Sequence, residues 1–353
     1  MRFLGTGKRL IGVDITSAAV KLLELKKCHT YYQVESYAIM PLHEGAVVER
    51  RICDMDSVSS VLIRAIEYAK PSTRKAIVAV PANTAITKML SFPIDLSEEE
   101  IEAQIITRYD QFLPFPFNEA AFDFQCLGPA PFDEKLQQVL LVACKQRDVT
   151  QLTDTLERAG LEPSIVEVET FAIERALAEL YGQLKTENEP AASVGFVDIG
   201  ANTTAFHVVR DGQIVYSRDT LFGGRQLTEA IRQCHGVSME EADIAKKLGE
   251  LPSDYHAKVV SPFVGTVVQD IRRSLQLYYS AGRQQEVKHI VLAGGSSVIP
   301  GLAERMAEGC DMPVTMANPF QRMQVNKRLN QQALMSAGPA MLTASGLAIR
   351  MSQ

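Results

Sequence analysis

The sequence predicts an α/β protein built from two related lobes, and three observations carry that prediction. The first is a long-range internal repeat: residues 11–25 (Ile11-Gly-Val-Asp-Ile-Thr-Ser-Ala-Ala-Val-Lys-Leu-Leu-Glu-Leu25) align with residues 195–209, placing Asp14 on Asp198. In each copy an apolar run ends at an Asp, small residues turn the chain, and a second apolar run follows. The second observation is that strand-like and helix-like patterns alternate through the rest of the chain. The third is size and composition: 353 residues, 46% hydrophobic and 22% charged, describe a globular chain long enough for two domains.

Taken in order, the first repeat continues past a turn near Cys28–Thr30 into a third strand at 32–39. Helices are expected at 57–69, 97–112, 147–159 and 170–181, and strands at 76–80, 121–126, 139–144 and 164–168. Ser97 and Glu100 make a capping box at the start of the second of these helices. The simplest arrangement of the middle segment is a hairpin of 123–126 with 138–144 packed on helix 147–159. The polar, proline-containing stretch 183–190 reads as a crossing between lobes. In the second repeat Asp211-Gly212 is a strong two-residue hairpin signal leading into 213–217. Helices follow at 224–235, 238–248, 261–279, 301–308 and 332–350, with a strand at 289–292; Ser238 and Glu241 form another capping box.

Composition also excludes several function classes. No apolar run approaches the ~18 residues that span a bilayer, and the N-terminus lacks a signal-peptide core, so a cytoplasmic protein is expected. The six cysteines lack C-x-x-C or zinc spacing and are expected to be reduced. A net charge of -6 argues against general nucleic-acid binding. Gly5-Thr-Gly-Lys8 lacks the P-loop pattern and reads as a flexible basic head.

A turn of small residues after a strand leaves backbone N–H groups free to surround a phosphate, while an Asp at the strand end can position Mg²⁺ through water. One such loop is weak evidence, since Asp is also an ordinary turn residue; two copies suggest a clamp between lobes. A third element, Val291-Leu-Ala-Gly-Gly-Ser-Ser-Val-Ile-Pro-Gly301, breaks a strand at Gly294 and Gly295, where backbone could approach a base or ribose. His207 reads as a packing residue. Leu113-Pro-Phe-Pro-Phe117 is either a core plug or part of a peptide groove.

These residues, in this order, resemble the actin-like ATPase superfamily, which includes actin, sugar kinases and FtsA. Asp14, Thr16, Ser17 and Lys21 resemble its first phosphate motif; Asp198 with Gly200, Ala201, Asn202 and Thr203 resembles the second; Gly294, Gly295, Ser296 and Ser297 resemble the adenosine motif. Gly223 and Gly224 resemble another nucleotide-proximal turn. Within the superfamily, the chain resembles the PilM family of type IV pilus assembly over its whole length. The marks are Gly12–Leu25, Tyr109-Asp-Gln-Phe-Leu-Pro-Phe-Pro-Phe117, Val166-Glu-Val-Glu-Thr-Phe-Ala-Ile-Glu-Arg175 and Glu240–Leu248.

The resemblance implies an actin-like fold with a first lobe at 1–190, holding a small subdomain at about 91–165 and completed by helix 332–353. The second lobe would span 191–331, with a nucleotide-proximal helical part at about 223–287. It implies ATP and Mg²⁺ as cofactors, with Asp14 and Asp198 at the metal and Glu169 orienting the attacking water. It also implies capture of the N-terminal peptide of the membrane protein PilN in a groove of the first lobe. Contact with other type IV pilus proteins follows, as does attachment to the inner membrane only indirectly, through PilN. Ala201 and Asn202 replace glycines of stronger ATPases, implying slow turnover. Glu241 and Lys246 are the nearest substitutes for a ribose-binding pair that is out of step here. Two rivals stay open: an FtsA-like filament former and a small-molecule kinase. No amphipathic segment follows Arg350, which disfavours direct membrane attachment; self-association is left open, and the residues supply no independent substrate base for a kinase.

Overall fold

The computed structural model describes residues 9–181, 193–248, 254–282 and 285–350. The expected lobe crossing at 183–190 and the basic head at 5–8 lie outside the described residues, as do residues 351–353.

Two sheets share one topology. In the first, β1 (Ile11–Ile15), β2 (Ala19–Cys28) and β3 (Tyr31–Pro41) form an antiparallel meander. On the other side of β1 lies β6 (Lys75–Val80), parallel to it, and then β10 (Glu162–Val168). In the second sheet β11 (Ser193–Ile199), β12 (Thr204–Arg210) and β13 (Gln213–Thr220) repeat the meander, and β14 (Val287–Ala293) and β15 (Val314–Met316) repeat the parallel pair. The Asp211-Gly212 turn has φ of 53° and 81°, as the hairpin signal requires.

Between the sheets lie α5 (Glu169–Tyr181) and α11 (Leu342–Arg350). Ala344, Leu347 and Ala348 of α11 share a core with Leu23, Leu25 and Ile77 of the first sheet. Ile173, Ala176 and Leu177 of α5 share another with Phe196, Val209 and Val291 of the second. Glycine lets these layers close. A Cβ on Gly12 would lie 2.5 Å from the Ala344 carbonyl oxygen and 2.8 Å from the Ala348 nitrogen. The outer face of the first sheet carries α1 (Met55–Ala69) and α4 (Gln146–Arg158). That of the second carries α6 (Gly224–His235), α7 (Met239–Leu248), α8 (Ser261–Ser280) and α9 (Leu302–Cys310).

Four expectations change. The hairpin of β8 (Ala120–Ala130) and β9 (Asp133–Lys145) gains a third strand, β7 (Ile86–Pro93), in the order β7-β9-β8. Largely exposed, β7 carries little of the apolar pattern that marks a strand. Nor does this sheet take α4 as its main packing partner. Its core is Phe92, Val139 and Leu141 against Ile101 and Ile105 of α2 (Glu98–Thr107) and Tyr109 of α3 (Tyr109–Phe112). Leu152 and Leu156 of α4 instead enter the core of the six-stranded sheet. Leu113 is buried in the small sheet's core, Phe115 packs on it, and Phe117 stays exposed with its ring edge-on to Tyr109 at 5.3 Å.

The expected helix 332–350 is also interrupted. It comprises α10 (Gln331–Ala337), a 3₁₀ turn at Gly338–Met341, and α11. Pro339 cannot continue the hydrogen-bond ladder, and its carbonyl accepts the Gly294 N–H at 2.8 Å. Fourth, the chain returns to the first sheet earlier than expected: β16 (Gln324–Val325) pairs with β3, and Phe320 and Met323 join the first sheet's core. The short hairpin of β4 (Val47–Val48) and β5 (Arg51–Ile52) went unread, each arm being only a residue pair.

Candidate functional site

The duplicated Asp residues each stand next to last in a central strand, at matching places in the two sheets. In β1, Asp14 lies directly across from Lys21, and Lys21 Nζ reaches Asp14 Oδ2 at 2.8 Å with both side chains largely buried. Thr16 closes the first loop: its hydroxyl donates to the Ala19 carbonyl at 2.9 Å and accepts the Ala19 N–H at 3.1 Å. The Thr16 side chain is thus engaged in the turn, while Ser17 lies half-buried beside it.

The second loop has two faces. The Gly200 N–H donates to the Thr203 carbonyl at 2.9 Å, and among the hydrogen bonds of the described residues the amides of Ala201, Asn202 and Thr203 have no protein acceptor. Those half-buried donors are what an anion would take. The carbonyls face the other way. Gly200 O accepts from Gly224 N at 2.9 Å and from Ser296 Oγ at 3.0 Å, and Ala201 O accepts from Arg225 N at 2.8 Å. The start of α6 and the Gly294–Ser297 turn are thereby locked onto the second loop.

This locking explains the glycines. A Cβ on Gly223 would lie 2.7 Å from the carbonyl oxygens of Gly200 and Ala201, and one on Gly224 would strike Ser296 Oγ. Gly294, at φ +89°, presses against the Asp198 carboxylate and the Ile199 carbonyl. Only Gly295 of these four faces open space. Gly223, Gly224 and Gly294 thus serve loop-on-loop packing, while Gly295 leaves its face open. Ser297 is buried and donates to the Gly294 carbonyl at 2.8 Å.

Glu169 begins α5 and is held by Arg50, with the Ala82 N–H at 3.4 Å from the same oxygen. Arg50 was invisible in the sequence, because only the tertiary fold carries the 49–50 turn to the cleft. A second missed pair, Arg225 with Glu44, crosses from α6 to the loop after β3. Of the ribose candidates, Lys246 reaches α6, donating to Thr228 Oγ1 at 2.6 Å and Gly224 O at 3.3 Å. Glu241 caps α7: its carboxylate accepts the Ser238 N–H at 2.8 Å and is exposed there. His207 packs as expected, stacked on Phe196 and bonded to Ser217 Oγ at 2.8 Å, and burial pushes its pKa down to about 4. Among the described residues no three His, Cys, Asp or Glu side chains converge as a ready-made metal cage.

Burial pushes the Asp198 pKa up to about 6, against the opposing pull of Lys21 and Arg50. An acid whose folded pKa is raised binds more protons folded than unfolded, so its stabilising contribution is present at low pH and is lost as pH rises from about 4 to about 6. Asp198→Asn should therefore stabilise the metal-free protein at pH 7.5 by about 1–3 kcal/mol and leave it nearly unchanged below pH 4. Urea melts at the two pH values check this; equal effects at both would remove the electrostatic explanation.

Comparison with known proteins fits this architecture. A profile of the family described as type IV pilus assembly protein PilM matches residues 12–352. The chain belongs to this family. A solved PilM–PilN type IV pilus biogenesis complex has a chain that superposes with a TM-score of 0.80 at 24% identity, covering 98% of this chain and 99% of that one. Ta0583, an archaeal actin homolog, gives a TM-score of 0.51 at 12% identity, covering 97% and 99%, and so shares the actin-like fold. The ethanolamine utilization protein EutJ of Escherichia coli K12 is 31% identical over 151 residues, 43% of this chain. That match spans 46%, under half, of the EutJ length. In this PilM-family protein the two Asp loops and the Gly294–Ser297 turn come from both sheets of an actin-like fold.

Proposed function

We propose that this PilM-family protein is an ATP-binding adaptor of type IV pilus assembly, cytoplasmic and held at the inner membrane by the N-terminal peptide of PilN in a groove of the first lobe. The observation that carries the nucleotide reading is the set of free amides at Ala201–Thr203 beside Asp198. Those amides, Ser17, Lys21 and Gly295 would hold phosphates and nucleoside, with Lys246 behind them. Asp14 and Asp198 would position Mg²⁺ through water, and Glu169 would orient an attacking water. Bound Mg-ATP would supply a polyanion that draws the lobes together. The pairing with PilN is supported by family membership and by the PilM–PilN complex. No helix among the described residues is long and apolar enough to cross a membrane, which fits recruitment by a partner.

Nucleotide closure and peptide capture are reciprocal if they favour the same arrangement of lobes. Titration calorimetry with a peptide from the N-terminus of the organism's PilN-like protein should show saturable binding that tightens or weakens about 5-fold or more with Mg-ATP. Asp198→Ala should abolish that nucleotide dependence while leaving peptide binding. Absence of peptide binding in both conditions, with ATP still bound, would sink the adaptor reading. Loss of membrane recruitment in cells lacking PilN is the corresponding fractionation result.

A further inference from the structure

The β4–β5 hairpin turns through Glu49 and Arg50 alone, and both adopt positive φ, 48° and 65°. Such a two-residue turn favours Asn-Gly or Gly-Gly, because a Cβ is disfavoured at positive φ. A glutamate and an arginine are therefore an unfavourable choice for the turn itself. The arms are firmly seated: Val47 and Ile52 are buried in the first lobe's core, and Gln151 Nε2 donates to the Ile52 carbonyl at 2.6 Å. The strained turn is thus carried on a fixed support, and it projects the Arg50 side chain onto Glu169 at the start of α5.

Carboxylates of the second lobe act electrostatically on the same guanidinium. Asp198 and Asp219, set in register with Ala205 on neighbouring strands of the second sheet, both act on the charge of Arg50. Lys21, the cation of the first loop, is tied to Asp14. Arg50 is therefore a first-lobe cation under the field of second-lobe carboxylates, held among the described residues by one carboxylate oxygen that it shares with the Ala82 amide. A guanidinium is planar and presents several donors that match phosphate oxygens in pairs, which a lone carboxylate oxygen does not satisfy.

We propose that Arg50 is the residue that distinguishes a nucleoside triphosphate from a diphosphate: it exchanges Glu169 for the terminal phosphate, leaving the Glu169 carboxylate free in the cleft. This rests on the nucleotide reading above. It assigns to the 49–50 turn a role that explains why the position holds arginine at glycine-like geometry.

The test compares Mg²⁺ with a non-hydrolysable ATP analogue and Mg-ADP, each titrated calorimetrically into wild type, Arg50→Gly and Arg50→Lys. Glycine suits the turn, so Arg50→Gly removes the guanidinium without straining the hairpin. The expected result is a triphosphate Kd at least about 10-fold weaker in Arg50→Gly, an ADP Kd changed less than about 2-fold, and an intermediate ratio for Arg50→Lys. Equal weakening for both nucleotides, as a merely structural role would produce, overturns the proposal, and so does an unchanged triphosphate Kd. If Arg50→Gly does not fold, the ratio in Arg50→Lys decides by the same criterion. Wild-type protein that binds neither nucleotide overturns the nucleotide reading itself, an outcome distinct from binding without discrimination.

Discussion

Gly346→Ala will destabilise the protein by about 2–4 kcal/mol, although alanine is the better helix former by up to about 1 kcal/mol. Gly346 lies in the middle of α11 where it crosses α5. A Cβ there would overlap the Ala172 carbonyl oxygen and stand 2.5 Å from its carbon. Those are backbone atoms inside a helix and cannot rotate away as a side chain end can. The Gly346 carbonyl also accepts from Arg175 Nη1 at 2.6 Å, so displacing either helix breaks a part-buried bond. Gly265 in α8 is the control, since nothing lies within 4 Å of a Cβ built there. Gly265→Ala should stabilise by about 0.5–1 kcal/mol. Urea midpoints with unchanged slopes read both values, and two substitutions of the same sign would refute the tight crossing.

Glu167→Ala will cost about 3–5 kcal/mol, because breaking one side of a buried ion pair leaves the other uncompensated. The Glu167 side chain is 2% exposed at the end of β10. It takes Arg175 of α5 through both oxygens, at 3.0 and 2.8 Å, and Arg350 of α11 as well. Removing the carboxylate leaves the part-buried Arg175 guanidinium with the Gly346 carbonyl but no ion-pair partner at Glu167, and frees the last turn of α11. The loss should persist in high salt, which screens exposed pairs far more than buried ones. Thermal melts at low and high ionic strength test it; a difference that vanishes with salt would place the pair effectively in solvent. Both substitutions act on the helices between the two sheets, so their effects bear on how the lobes are joined.

Much of the framework was legible in the chain because its signals are local. Asp14 and Asp198 end apolar runs, Asp211-Gly212 marks a tight turn, and Ser97 with Glu100 and Ser238 with Glu241 mark helix starts. The repeat between 11–25 and 195–209 carried the two-sheet topology, since like patterns fold alike. What escaped is what has no local signature. The β7 strand is an exposed edge, and the packing partner of β8–β9 is a choice between two amphipathic helices that only three-dimensional fit resolves. Glu241 shows the same limit from the other side: its spacing suited both a cap and a ribose contact, and the hydrogen bonds to Ser238 show the cap.

By itself, then, the sequence determined a duplicated α/β protein with Asp-ended phosphate-type loops and the marks of the PilM family. Periodicity, turn chemistry and repeats are written in neighbouring residues. The tertiary structure alone decided that Gly223, Gly224 and Gly294 pack loop on loop, that Gly346 permits the α5–α11 crossing, and that Arg50 stands on Glu169. Each joins residues far apart in the chain, and such pairings are set by how the layers close rather than by any pattern along it.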